Sequence, residues 1–305
     1  MILKNAKLVE FITSDRLKLP GMLFEPKKKS RKALIYLHGN GSSSVFYSLN
    51  RLREQAEFLA GQGIAFFAFN NRGSGQISKV KKIFKSGEKK VPAGTAYELI
   101  RDCVKDIDGA VAFLKSLGYR EFYLIGFSTG ANKICVYNFY RPKNPIAKYI
   151  LVGGADDSGM FYRQLGRRKF EELLKIARKK ISVGKGKELI PHHRLNAIYS
   201  YQAFYDTANP DGDYNIFPFN EALKKLKLSK KKLFRHFSSI TKPTLAIYGE
   251  KDEYCSGPVR KVVEILKKQV SAPDKFRFAI FKKADHGLSG KERALARLVA
   301  DWLKG

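Results

Sequence analysis

Short apolar runs alternate with stretches of helical spacing along most of this chain. Leu8 to Thr13 and Leu17 to Glu25 alternate apolar with polar residues and meet at Ser14-Asp15-Arg16. That pattern predicts an opening hairpin, with Pro20-Gly21 marking a bulge or an edge position. Ala33–Leu37 and Ile64–Phe69 are compact apolar runs of the kind buried on both faces of a sheet. Between them Leu49, Leu52, Ala56 and Leu59 recur at helical spacing, stopped by Gly61 and Gly63. Lys79 to Gly94 is basic and interrupted by glycine, and reads as a surface excursion. Thr95-x-x-Glu98 has the form of a capping box. The helix expected after it carries Leu99, Cys103, Ile107, Ala110, Val111, Leu114 and Leu117 on one face and ends at Gly118.

The rhythm continues with strands predicted at Phe122–Ile125, Ala147–Val152, Pro243–Gly249 and Phe276–Phe281. Helices are predicted over Ala131–Tyr140 and Val259–Lys268. A last amphipathic helix follows Ser289-x-x-Glu292, with Leu295, Leu298, Val299, Trp302 and Leu303 inward. From Ser158 to about Thr241 the strand rhythm stops. There Phe170, Leu173, Leu174, Ala177 and Ile181 give helical spacing with a basic outer face, and an aromatic-rich stretch runs from Tyr199 to Tyr205. Strands alternating with helices imply an α/β fold, a mostly parallel, doubly wound sheet. The expected organisation is a core domain of residues 1–157 and 242–305, with an inserted cap or lid at 158–241.

The candidate chemistry sits where strands end. Phe122 to Ile125 runs into Gly126-Phe127-Ser128-Thr129-Gly130, and a helix-compatible segment follows. Strand, sharp turn and helix around G-x-S-x-G form a nucleophile elbow, in which the flanking glycines leave room for a strained serine. Ser128 needs a base, which His286 supplies after the last strand, and the base needs a carboxylate to fix its tautomer. Asp252, after the penultimate strand, is the first choice, giving the order Ser, Asp, His; Asp156 and Asp157 also end a strand and stay open as alternatives. Asp285, adjacent to the histidine, cannot readily turn back onto it. His38 reads as bracing its loop rather than reacting. His192-His193 point apart with no carboxylate at ligand spacing, so no metal and no cofactor are expected.

These residues resemble the α/β-hydrolase superfamily over nearly the whole chain, with Ser128, Asp252 and His286 at its elbow, acid and histidine positions. The resemblance implies an α/β-hydrolase fold and an oxyanion hole made by the backbone N–H groups of Thr129 and of Asn40, the latter after His38-Gly39 and before Gly41-Ser42. It makes Asn71-Arg72-Gly73-Ser74-Gly75 a structural loop. Ser128-Thr129-Gly130, Gly184-Lys185-Gly186-Lys187-Glu188-Leu189-Ile190-Pro191, Asp211-Gly212-Asp213 and Gly249-Glu250-Lys251-Asp252-Glu253-Tyr254 also resemble a poorly characterised group. That group includes fungal esterases that open ester-linked hydroxamate siderophores; Phe127 stands where it often has histidine. The expected activity is hydrolysis of a carboxylic ester through an acyl-enzyme. Thioester or amide cleavage, or acyl transfer, are alternatives on the same three residues. Phe127, Phe161 and Tyr162 are expected to border the substrate, with Tyr201, Phe204 and Tyr205 serving either the pocket or the packing of the cap.

Charge adds a further element: 58 Lys and Arg stand against 28 Asp and Glu, a net charge of +30. The basic residues are scattered in clusters such as Lys27-Lys28-Lys29 and Lys230-Lys231-Lys232, with no nucleic-acid-binding motif. A solvated surface is the first expectation. Nonspecific affinity for nucleic acid or anionic surfaces is the second, and a basic binding protein without turnover is the non-enzymatic alternative. In the cap, basic groups favour an anionic or metal-chelating acyl substrate. Three cysteines without a C-x-x-C pair suggest neither a disulfide framework nor a zinc site. With no apolar run of membrane-spanning length and no signal-peptide core at the start, a cytoplasmic small-molecule enzyme is expected.

Overall fold

The computed structural model describes residues 6–41, 43–47 and 49–305. The opening hairpin forms as β1 (Ala6–Ile12) and β2 (Lys18–Phe24), with Arg16 at φ 71° in its turn. Next come β3 (Lys32–Leu37), α1 (Leu49–Gly61) and β4 (Ile64–Phe69). Pro20-Gly21 is neither bulge nor edge, because β2 lies between β1 and β4 and its register with β1 is continuous. Pro20 falls just before the first rung of the β2–β4 ladder, Gly21 opposite Phe69. A Cβ on Gly21 would stand 2.9 Å from the Ala68 carbonyl oxygen, so the close approach of β4 requires glycine there.

The basic excursion is a separate antiparallel hairpin, β5 (Ser78–Phe84) and β6 (Gly87–Ala93). Lysines at successive positions hid its period of two; only Val80 and Val91 pack against the core. The capping box does not form. Thr95 Oγ1 donates to the carbonyls of Gly41 (3.0 Å) and Gly73 (3.1 Å), and Glu98 accepts from Lys133 Nζ at 2.6 Å. Accordingly α2 (Cys103–Ser116) starts later than the sequence pattern suggested, after a 3-10 turn at Ile100–Asp102.

The chain continues through β7 (Glu121–Phe127), α3 (Thr129–Tyr140) and β8 (Ile146–Val152). A helical insertion follows: α4 (Asp157–Ser182), kinked where Gly166 takes φ 70°, α5 (Tyr201–Ala208), α6 (Phe219–Lys224) and α7 (Arg235–Ser238). The fold closes with β9 (Thr244–Gly249), α8 (Val259–Gln269), β10 (Phe276–Phe281) and α9 (Glu292–Lys304). Ser289 does not cap α9; its N–H and hydroxyl both bond the Asp285 carboxylate at 2.9 Å, and Lys291 holds the cap position.

Among the described residues eight strands form one sheet, ordered β1-β2-β4-β3-β7-β8-β9-β10 and parallel from β4 to β10. Alternation along β3 sends Ala33, Ile35 and Leu37 to one face and Leu34 and Tyr36 to the other. The first face packs against Ile107, Ala110 and Leu114 of α2, Ile134 of α3 and Val262 and Leu266 of α8. The second packs against Leu52, Ala56 and Leu59 of α1 and Leu295, Val299 and Leu303 of α9. Burial of each large aliphatic side chain contributes about 1.5–3 kcal/mol, which makes two covered faces the favoured end state for strands apolar throughout.

Within the insertion, Phe161, Phe170, Leu173, Ala177, Leu195 and Phe204 form a cluster of their own. Tyr214, Ile216, Phe217, Phe219, Phe234, Phe237 and Ile240 instead join the main core. Asp206 of α5 clasps the insertion to the start of α2 by accepting the Ile100 N–H at 2.7 Å. Burial, reinforced by Asp213, Glu98 and Asp102, pushes its carboxyl up to about 7 against the lowering effect of that N–H. Between the usual carboxylate range and about pH 7 the folded chain therefore holds a proton the unfolded chain has lost. Its contribution to stability therefore falls as pH rises through that window. Asp206→Asn, whose side-chain oxygen still accepts from Ile100, removes that contribution. The melting temperature at the upper end relative to the lower end is thus expected to be higher in the variant than in the parent, measured by thermal unfolding at each end.

Among the described residues no helix is long and apolar enough to cross a membrane.

Candidate active site

Parallel strands all deliver their carboxyl ends to one face, and several of these ends carry the candidate groups. At the end of β7, Ser128 adopts φ 53° and ψ −123°, a sparsely populated conformation for a residue with a side chain. What holds it there is crowding: a Cβ on Gly126 would overlap the Gly130 carbonyl, and one on Gly130 would overlap the carbonyl of Leu37 on β3. The Ser128 N–H donates to the Val152 carbonyl at 2.8 Å, tying the turn to β8. Thr129 opens α3, so its N–H is among the helix's amino-terminal donors that lack an intrahelical acceptor.

The loop after β3 approaches the serine closely, since a Cβ on Gly39 would come within 3.1 Å of the Ser128 Cβ. His38 braces this loop: its Nε2 accepts the Asn71 N–H at 3.1 Å and its Nδ1–H donates to the Gly39 carbonyl at 2.7 Å. Full burial, with Lys133 nearby, drops its pKa to about 3, so it is neutral. The Asn40 side-chain amide donates to Tyr214 Oη at 2.8 Å; Ser42 lies outside the described residues. The Asn71-Arg72-Gly73 loop is structural, with the buried Arg72 guanidinium bonded to Asp15 and Asp106 at 2.7–3.1 Å.

Asp252, beyond β9, and His286, beyond β10, meet directly: His286 Nδ1–H donates to Asp252 Oδ1 at 2.9 Å. The same oxygen takes the Tyr254 N–H at 3.0 Å, and His286's own N–H reaches Glu253 at 3.2 Å. Backbone bonds from Glu250 to Phe281 and from Lys251 to Ala284 clamp the two loops together. Gly153 takes φ 59° beneath this pair; a Cβ there would stand 3.0 Å from His286 Cε1. The Tyr254 ring lies 4.6 Å from the His286 ring. With Nδ1 held by Asp252, Nε2 is the free ring nitrogen; among the described contacts it makes no hydrogen bond to Ser128 Oγ.

Asp156 and Asp157 are separated by their partners. Asp156 is absorbed in structure, accepting from the N–H groups of Gly159 (2.8 Å) and Asn220 (2.6 Å). Asp157 Oδ2 accepts from Asn132 Nδ2 at 3.0 Å, and neither carboxylate bonds His286 among the described contacts.

One cavity of about 400 Å³ gathers Ser128, Thr129, Asn40, Phe127 and His286, together with Tyr36, Val45, Leu52, Met160, Tyr199 and Tyr254. Phe161 and Tyr162 do not line it: Phe161 is buried against Tyr199 and Phe204, and Tyr162 packs edge-on against Phe170. Tyr201 and Phe204 are likewise buried in the packing of the insertion. Tyr254 was legible in principle, standing two residues after Asp252. Tyr199 opens the aromatic-rich stretch but is not told apart there from its packing neighbours, and Met160 carried no signal, because both reach the cavity only through the fold of the insertion. His192 and His193 are exposed, and among the described residues no cluster of His, Cys, Asp and Glu is arranged to hold a metal. Cys103, Cys135 and Cys255 are buried thiols.

Solved structures share this architecture. Est1E from Butyrivibrio proteoclasticus, determined with ferulic acid bound, matches with a TM-score of 0.62 at 15% identity, covering 97% of this chain and 98% of that one. The Pyrococcus furiosus esterase Pf2001 matches with a TM-score of 0.56 at 19% identity, over 98% of this chain and 92% of its own. Mouse alpha/beta hydrolase domain-containing protein 10 matches with a TM-score of 0.55 at 16% identity, over 98% of both chains. At such identities the likeness shows the fold, and the fold is that of the α/β-hydrolases. No curated protein matches the sequence. The model of a family described as "Protein of unknown function (DUF1749)" matches residues 93–304. With more than half of its length matched, the chain belongs to the DUF1749 family, on an α/β-hydrolase fold.

Proposed function

We propose that this protein hydrolyses a carboxylic ester through an acyl-enzyme on Ser128. The observation that carries the reading is the Asp252–His286 hydrogen bond at 2.9 Å, on the rim of the cavity that also receives the strained Ser128. In this reading His286 Nε2 swings to Ser128 Oγ as substrate fills the cavity, a tightening common on going from a free site to an occupied one. Ser128 Oγ attacks the ester carbonyl while Nε2 takes its proton, and Asp252 stabilises the resulting imidazolium. The N–H groups of Asn40 and Thr129 receive the developing oxyanion; one such donor is typically worth ~10²–10³ in rate. Nε2 then gives its proton to the departing alkoxide, and the same sequence with water releases the acid and restores the serine. The insertion at 158–241 acts as the cap, since Met160 and Tyr199 come from it and line the cavity.

A panel of p-nitrophenyl esters of increasing acyl length, with intact-mass detection of the acylated protein, tests the proposal. Turnover with a transient acyl adduct on Ser128 is expected; absence of both across the panel contradicts it. Asp252→Asn should lower kcat by about 10⁴ by presenting the wrong tautomer of His286. Its thermal unfolding should confirm that the loss is kinetic.

A further inference from the structure

One ionisable group in the cavity is left unused by this chemistry. Asp157, the first residue of α4, lines the cavity and is 9% exposed, yet it does not partner the histidine. Its Oδ2 is satisfied by the neutral amide of Asn132. Lys133, whose charge acts on Asp157, is committed to Glu98 at 2.6 Å. No lysine or arginine is among the described residues that line the cavity, although the chain as a whole carries +30. Asn132 stands one turn of α3 beyond Ser128, so its amide ties Asp157 to the helix that Ser128 opens.

We propose that Asp157 is the specificity determinant of this site, accepting a hydrogen bond from a donor group, hydroxyl or protonated amine, on the substrate's acyl part. The inference rests on the ester-hydrolase reading of Ser128 and names the substrate class of that same site. A buried carboxyl facing a cavity without a cationic partner is costly in the empty site and gains most from a donor brought by the ligand. Burial, with Asp156 adjacent, pushes its pKa up to about 7; His286, Lys133 and its own backbone N–H oppose the shift. Wherever Asp157 is ionised, a substrate carboxylate would meet like charge, with no arginine or lysine among the described lining residues to receive it. This reverses the anionic acyl group suggested by the basic composition of the cap, because those cations lie away from the cavity lining.

The test uses four p-nitrophenyl phenylacetates that differ only in a para substituent: methyl, hydroxymethyl, aminomethyl or carboxylate. For the wild-type protein, kcat/KM for the better of the two donor esters should exceed that for the methyl ester by at least about 10-fold, and the carboxylate ester should fall below the methyl ester by a similar factor. The hydroxymethyl and aminomethyl arms decide whether the donor is neutral or cationic. Asp157→Asn keeps an oxygen for the Asn132 amide and should compress the donor-to-methyl ratio about 10-fold, chiefly through KM. A carboxylate ester ranked first, four equal rates, or a variant that slows all four esters alike overturns the proposal. Should none of the four be hydrolysed while a fluorophosphonate still labels Ser128, the donor class alone is wrong. Failure of that labelling as well removes the hydrolase reading itself.

Discussion

Ser128→Ala is expected to reduce ester hydrolysis by about 10⁴–10⁶-fold while leaving the fold intact, because in the proposed reaction the removed oxygen is the atom that attacks. The magnitude follows from the arrangement rather than from the serine alone. Ser128 occupies φ 53° only because Gly126 and Gly130 permit it, and His286 is already oriented by Asp252. In the proposed reaction the groups act as one device, so their losses should not add. His286→Ala should cost about as much as Ser128→Ala, and the double variant little more than either. Steady-state kcat/KM for the two single variants and the double variant measures this; additive losses would mean that serine and histidine act independently.

The second large effect concerns stability. Lys133 of α3, the helix that Ser128 opens, forms an ion pair with Glu98 at 2.6 Å, with side chains 1% and 3% exposed. Taking one partner from a buried pair strands the other charge and typically costs ~3–5 kcal/mol. Lys133→Met should therefore lower the denaturant midpoint sharply. A further Glu98→Leu change should recover part of the loss, because two apolar side chains leave no uncompensated charge. Equal destabilisation in the single and double variants would show that the pair contributes by packing and not by charge. Glu98 matters for shape as well, for its carboxylate fills the space a Cβ on Gly73 would need.

The parallel strands were readable because burial on both faces leaves uninterrupted apolar runs, as in Ile64–Phe69, and the elbow because Gly126, Ser128 and Gly130 obey a steric rule visible in one pentapeptide. Local capping patterns misled twice. Thr95 and Ser289 both have a glutamate three residues on, but other partners claim them: the distant Gly41 and Gly73 carbonyls in one case and the carboxylate of Asp285, four residues earlier, in the other. The β5–β6 hairpin was obscured by lysines, which exposed strands accept at any position. In the cavity wall, Ser128 and Phe127 follow from one chain-local motif and Asn40 from the family resemblance, whereas Met160 and Tyr199 depend on how α4 and α5 pack, which no local pattern encodes. The aromatic residues picked from the insertion turned inward for a general reason: Phe161 and Phe204 gain more from a small core of their own than from a solvent-filled cavity.

Active-site labelling addresses the central claim most directly. The protein, treated with a fluorophosphonate and digested, should yield one adduct, on the peptide carrying Ser128. Prior denaturation or the Ser128→Ala change should abolish it, and His286→Ala should slow it severely. A folded protein that takes no label, or that takes it at another residue while Ser128→Ala still hydrolyses esters at the original rate, would contradict the account.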